Sequence, residues 1–166
     1  MVRWLGQRDS FRCGPIAVLN IMKWAGIKTF LGRRVTEKLA KGLLTTLTKT
    51  DLEGTWAKDL VEVVRNIPGI HISNGKRPTR RYIKKQLDKG KIVLLDAPWF
   101  DKKTRKHVPH FSLIVDKTPS GAYYKVVNHY DGVSSCWIPA KDLANLLRKK
   151  DATIYIVSKD KDEDDE

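Results

Sequence analysis

Apolar residues in the first half of the chain recur at helical spacing. Ile16, Ala17, Val18, Leu19, Ile21, Met22, Trp24 and Ala25 predict a helix from about Pro15 to Ala25, stopped by Gly26. Val35, Leu39, Leu43 and Leu47 recur every fourth residue and predict a second helix. Thr55 is placed to cap a third, which carries Trp56, Leu60, Val63 and Val64 and ends at Pro68-Gly69. A fourth is expected from Thr79 to about Lys89, with Gly90 as its terminator. From Lys91 the pattern turns strand-like, over residues 91–97, 110–116, 122–128 and 152–158. Residues 133–138 are also strand-like, and Leu143, Leu146 and Leu147 mark a short helix after Pro139. Helices first and an antiparallel sheet second is an α+β order, with the N-terminal helices packed on the C-terminal sheet.

Two of these strands form a hairpin in this reading, because residues 117–121, Lys-Thr-Pro-Ser-Gly, are short and turn-rich. If Asp116 pairs with Ala122, antiparallel counting sets His110 opposite Asn128, with their side chains on one face. An imidazole and a polar group that holds its tautomer are two of the three parts of thiol catalysis.

The third part stands at the start of the first helix, where Gln7-Arg8-Asp9-Ser10-Phe11-Arg12-Cys13-Gly14-Pro15 runs into the apolar pattern. A cysteine in a first helical turn meets unpaired N–H groups and the positive end of the macrodipole, which favour the thiolate. Pro15 fits the first turn, and Gly14 leaves room for a substrate backbone. Gln7, five residues before Cys13, is close enough to fold back and serve as an oxyanion donor.

Length and composition bound the remaining classes. A chain of 166 residues is one domain, long enough for a core without disulfides. Cys13 and Cys136 make neither a disulfide framework nor a zinc signature, so a reduced, cytoplasmic protein without metal or cofactor is expected. No signal peptide and no run of transmembrane length is evident. The net charge is +13, yet residues 159–166 hold six acids and two lysines and read as a disordered acidic tail. Residues 1–158, the expected domain, carry 30 basic and 13 acidic side chains, or +17. So basic a body attracts acidic partners, nucleic acid included. Arg80, Arg81, Lys84 and Lys85 on one side of the fourth helix and the basic residues of 102–106 are where such a partner would touch.

In order, Gln7-x5-Cys13-Gly14-Pro15 opening a helix, Gly54-Thr55-x4-Leu60, His110-Phe111 at a strand start and Asn128 at the end of the next resemble the bacteriocin-processing cysteine peptidases. These are the double-glycine leader peptidases and their stand-alone relatives in the papain-like superfamily, and the likeness runs roughly from Gln7 to Ser158. It implies a papain-like fold, Cys13 as nucleophile, His110 as base and acid, and Gln7 with the Cys13 N–H as oxyanion hole. In that family an aspartate, commonly followed by proline, orients the histidine. Here the place reads Asn128-His129, and asparagine serves in papain-like enzymes more broadly, with Asp131 as the fallback orienter. Leader peptidases are often fused to a transporter with an ATPase, and this chain carries neither.

The expected activity is therefore that of a thiol-dependent hydrolase, a stand-alone cysteine peptidase cleaving a peptide or isopeptide bond through an acyl-enzyme. The alternative is a basic protein that binds nucleic acid or an acidic partner on a peptidase-like fold without activity. Cys136 reads as a core residue, His107 as part of a polar loop, and His129 as pointing away from Asn128 on its strand. His71 reads as a satisfied or exposed strand histidine.

Overall fold

The computed structural model describes residues 1–9, 11–101, 104–129 and 132–160, without the side chains of Trp99, Phe100 and Asp101. Helix α1, Cys13–Trp24, buries every residue from Cys13 to Met22. A helix apolar on all sides belongs inside a molecule, and this one is the centre of the larger core. A hairpin of β1, Thr29–Phe30, and β2, Arg33–Arg34, follows it.

The second helical segment departs from a plain α-helix. It consists of α2, Glu37–Leu39, a π-helical stretch, Ala40–Leu44, and α3, Thr45–Leu47. A repeat of four exceeds the α-helical period of about 3.6, and the wider π turn takes up the difference. The buried positions become Leu39, Ala40, Leu44 and Thr48, while Leu43 is half-buried and Leu47 exposed. Helix α4, Ala57–Arg65, begins one residue later than expected, with Trp56 at its N-cap position and no side-chain cap. Thr55 instead pairs hydroxyls with Thr50 and packs against Gly14. Thr79 does cap helix α5, Arg80–Asp88, accepting from the Tyr82 N–H at 3.2 Å.

Six strands form the antiparallel sheet: β3, Ile70–Asn74; β4, Ile92–Asp96; β7, Phe111–Lys117; β8, Tyr123–Val127; β9, Ser135–Pro139; and β10, Thr153–Lys159. Their order is β3-β10-β4-β7-β8-β9, so the last strand slots between β3 and β4. Alternation along the strands builds two cores. Ile92, Leu94, Phe111, Leu113, Val127 and Val157 face α1 and α4. Val93, Leu95, Ile114, Tyr124, Val126, Ile154 and Ile156 face α5 and α6, Ala140–Leu147. Thus α5 leaves the other early helices and covers the opposite side of the sheet.

A second small hairpin, β5, Trp99–Asp101, and β6, Lys106–Val108, occupies the stretch expected to be a basic loop, and His107 sits exposed on it. Lys159 closes β10, and Asp160 donates its N–H to the Gly69 carbonyl and meets the His71 ring at 2.6 Å. The expected tail thus starts inside the sheet, and residues 161–166 lie outside the described residues. Among the described residues no helix is long and apolar enough to cross a membrane, and no group of three or more His, Cys, Asp or Glu is arranged to hold a metal.

Candidate active site

Helix α1 delivers Cys13 at its first position, and the turn before it is built by Asp9. The Asp9 carboxylate accepts from the N–H groups of Phe11, at 3.1 Å, and Arg12, at 2.8 Å, and holds the Arg12 guanidinium at 2.7 Å. Burial raises the Asp9 carboxyl, and these contacts more than offset it, leaving it below its ordinary range. Gly14 is required by Thr55: a Cβ there would come within 2.3 Å of the Thr55 hydroxyl. The loop before α4 therefore locks onto the first turn of α1.

His110 comes from the other end of the chain. It immediately precedes β7, whose Phe111 pairs with Asp96 of β4, and its carbonyl accepts from the Ala97 N–H at 3.1 Å. Phe111 links the two halves of the site, because its main-chain N–H faces the Cys13 sulfur and favours the thiolate. Cys13 and His110 are both buried, at 5% and 4% exposure.

The register that sets His110 opposite Asn128 does not form. Leu113 faces Val127 and Ile114 faces Val126, but beyond an irregularity at Val115 Asp116 faces Lys125 rather than Ala122. The register is already displaced at the turn, where Lys117 faces Tyr124, and the irregularity changes it by one residue. His110 and Asn128 meet all the same, in a different way. The ring Nε2 lies 2.5 Å from the Asn128 main-chain carbonyl, which makes Nε2 the protonated nitrogen and leaves Nδ1 the lone pair of the neutral ring.

The Asn128 side chain serves Gln7 instead. Its Oδ1 accepts from the Gln7 N–H and its Nδ2 donates to Gln7 Oε1, both at 2.9 Å. Asn128 adopts a left-handed backbone, φ 55°, a conformation that asparagine tolerates better than most side chains. Gln7 is buried and donates one amide N–H to the Asp9 carbonyl at 2.7 Å. Asp131, the fallback orienter, lies outside the described residues.

Two participants, Asn20 and Asp96, escaped the sequence reading. Asn20, fully buried on α1, exchanges two hydrogen bonds with the Leu5 main chain, at 3.0 and 2.9 Å, and so anchors the segment that carries Gln7. Asp96 ends β4 on the face of Ile92 and Leu94, and its charge pushes the Cys13 thiol up. An acid closing an apolar strand was the available signal. His129, expected to point away from Asn128 on its strand, is buried, and that burial lowers its pKa.

Electrostatics correct one expectation. Burial raises the Cys13 thiol to about 11, although the N–H groups of Phe111, Gly14 and Cys13 itself oppose this. Burial likewise lowers His110 to about 4, against the raising effect of the Asn128 carbonyl. The helix N-terminus was expected to hold a thiolate, but the loss of solvent outweighs a few N–H dipoles. At rest the thiol and the imidazole are both neutral. Asp96 is raised to about 6, by burial and then by Asp151.

No protein-family model matches the sequence, and no curated protein is significantly similar to it. Among solved structures, the crystal structure of the peptidase domain of Streptococcus ComA, a bi-functional ABC transporter involved in a quorum sensing pathway, is similar. It superposes with a TM-score of 0.64 at 14% identity, covering 94% of this chain and 98% of that one. The chain shares its α+β fold with that peptidase domain.

Proposed function

We propose that this protein is a cysteine peptidase that cleaves a peptide or isopeptide bond through an acyl-enzyme on Cys13. The observation that carries this reading is the tie of the buried His110 ring to the Asn128 carbonyl, one residue before the N–H that faces the Cys13 sulfur. His110 Nδ1 takes the thiol proton as sulfur attacks the substrate carbonyl, and the S–C bond forms. The imidazolium then protonates the leaving amine as the C–N bond breaks. Water attacks the thioester, gives one proton to His110, and releases the acid and the free thiol.

Because the resting pair is neutral, proton transfer is coupled to attack rather than completed beforehand. The Cys13 N–H and the second amide N–H of Gln7 are the donors suited to the tetrahedral oxyanion. Asn128 acts twice as a positioning residue, through its carbonyl on His110 and through its side chain on Gln7. The fold shared with the ComA peptidase domain supports a peptide substrate. A peptide with a double-glycine leader end is the first to offer.

Cys13→Ala should abolish cleavage while leaving the thermal midpoint within a few degrees of wild type. His110→Ala should slow it roughly 10²–10⁴-fold. Wild-type rates in Cys13→Ala, measured by mass spectrometry of the peptide products, would end the proposal. The burial of the thiol favours a second reading, a peptidase-like fold that only binds, and that reading predicts no cleavage of any peptide by wild type.

A further inference from the structure

On the far side of the sheet from Cys13, a pocket of about 460 Å³ opens between the N-terminal end of α5, the β7–β8 turn and α6. Its size lies within the usual range for a small-molecule site, roughly 300–1,000 Å³. Arg80, Arg81, Lys84 and Arg148 line it, and no acid does. None of these four cations has an ion pair among the described residues, and the nearby Asp88 is engaged by Lys117 at 2.8 Å. Four like charges around one concavity raise its positive potential and draw an anion to it.

The wall of the pocket carries a second, independent sign. Tyr124 is 1% exposed, yet its hydroxyl has no hydrogen-bond partner among the described residues. That hydroxyl stands beside Gly121 and near the Lys84 stem, where an added Cβ at Gly121 would lie 3.7 Å from the phenolic oxygen. The ring is fixed in the core while the hydroxyl opens on the pocket, where it is placed to donate to a bound group. The first turn of α5 adds the positive end of its dipole.

We propose that this pocket binds the phosphate or pyrophosphate group of a small soluble ligand, with the arginine forks and Lys84 on the phosphate oxygens and the Tyr124 hydroxyl donating from the wall. Planar guanidinium groups match phosphate oxygens two at a time, and a lysine adds a point charge. A nucleic-acid strand would instead be drawn by the wider basic face, Lys85 included.

Calorimetric titration of the whole chain with sodium pyrophosphate, at an ionic strength of about 0.15 M, tests this. One saturable site is expected. Arg148→Ala and Arg81→Ala should each weaken it about tenfold or more, as expected for a charge-assisted hydrogen bond. Tyr124→Phe, which leaves the ring in the core, should weaken it several-fold, with the thermal midpoint reporting that the fold is intact. Lys85→Ala, on the same helix but off the pocket, and Cys13→Ala should leave the affinity unchanged. The proposal is overturned by the absence of saturable binding, or by equal losses in Lys85→Ala and Arg148→Ala. It is also overturned if a single-stranded oligonucleotide displaces pyrophosphate and is itself weakened equally by Lys85→Ala and Arg148→Ala.

Discussion

Burial acts on Cys13 and His110 in opposite directions, raising one and lowering the other, because each pays for its charge in a site closed to water. The consequence for pH follows from His110 and Asp96 together. The folded value of His110, about 4, lies below its ordinary 6.5, so its contribution to stability is complete above pH 6.5 and is lost as pH falls toward 4. Asp96 lies at about 6 against 3.8, so its contribution is present at low pH and is lost as pH rises through 6. The two oppose each other over the same window. Asp96→Asn removes one of them, and its thermal midpoint should fall more steeply than that of wild type on acidification from neutral pH; parallel curves would refute the assignment. The Asn128–Gln7 pair makes a different prediction. Asn128→Gly keeps the left-handed backbone and the carbonyl on His110 but releases Gln7. Loss of an oxyanion donor costs roughly 10²–10³-fold in kcat. Gln7→Ala should lose about that much, Asn128→Gly a comparable amount, and the double variant no more than Gln7→Ala alone, since both act through the same hydrogen bonds. Additive losses in kcat would show that Asn128 does not act through Gln7.

Among the elements, the junction of α1 with the loop before α4 bears most directly on the site. Gly14→Ala should destabilise the fold by about 1–3 kcal/mol, the usual cost of overpacking a closed contact. Thr55→Ala should relieve it only in part, because the Thr55 Cβ itself would stand 2.7 Å from the new methyl group. Denaturant unfolding of the two single variants and the double variant checks this, and full relief by Thr55→Ala would place the strain elsewhere. The same scale explains what could be read in advance. Helices α1, α4, α5 and α6 and strands β4, β7, β8, β9 and β10 were legible because apolar spacing is a local property. Thr55 was misread as a cap because a threonine before an apolar run looks alike whether its hydroxyl turns to the helix or to Thr50. The hairpin register was missed because neither the turn, which sets Lys117 opposite Tyr124, nor the irregularity at Val115 leaves a trace in apolar alternation. The β5–β6 hairpin was hidden by charge. Of the candidate residues, Cys13 and Gln7 were singled out by their place before a helix and His110 and Asn128 by a hairpin count whose register does not form, whereas the use of the Asn128 carbonyl on His110 and of its side chain on Gln7 depends on a backbone angle no sequence pattern reports.

For the whole molecule, the sheet separates two chemistries. One face carries α1 and the candidate active site, the other carries α5, α6 and the basic pocket, and the two hydrophobic clusters lie on opposite sides of the same strands. A strongly basic body is thereby compatible with a buried, uncharged resting site, because the cations around the pocket are a full sheet away from the thiol. The central claim is that His110 serves as base to Cys13. The most direct measurement is the rate of Cys13 alkylation by iodoacetamide from acidic to alkaline pH, read by mass spectrometry in a Cys136→Ser background with and without His110→Ala. The account predicts slow labelling near neutral pH with His110 present and at least about tenfold slower labelling without it, the two curves converging as pH approaches the raised thiol value of about 11. Labelling that is unchanged or faster in His110→Ala at every pH would contradict it.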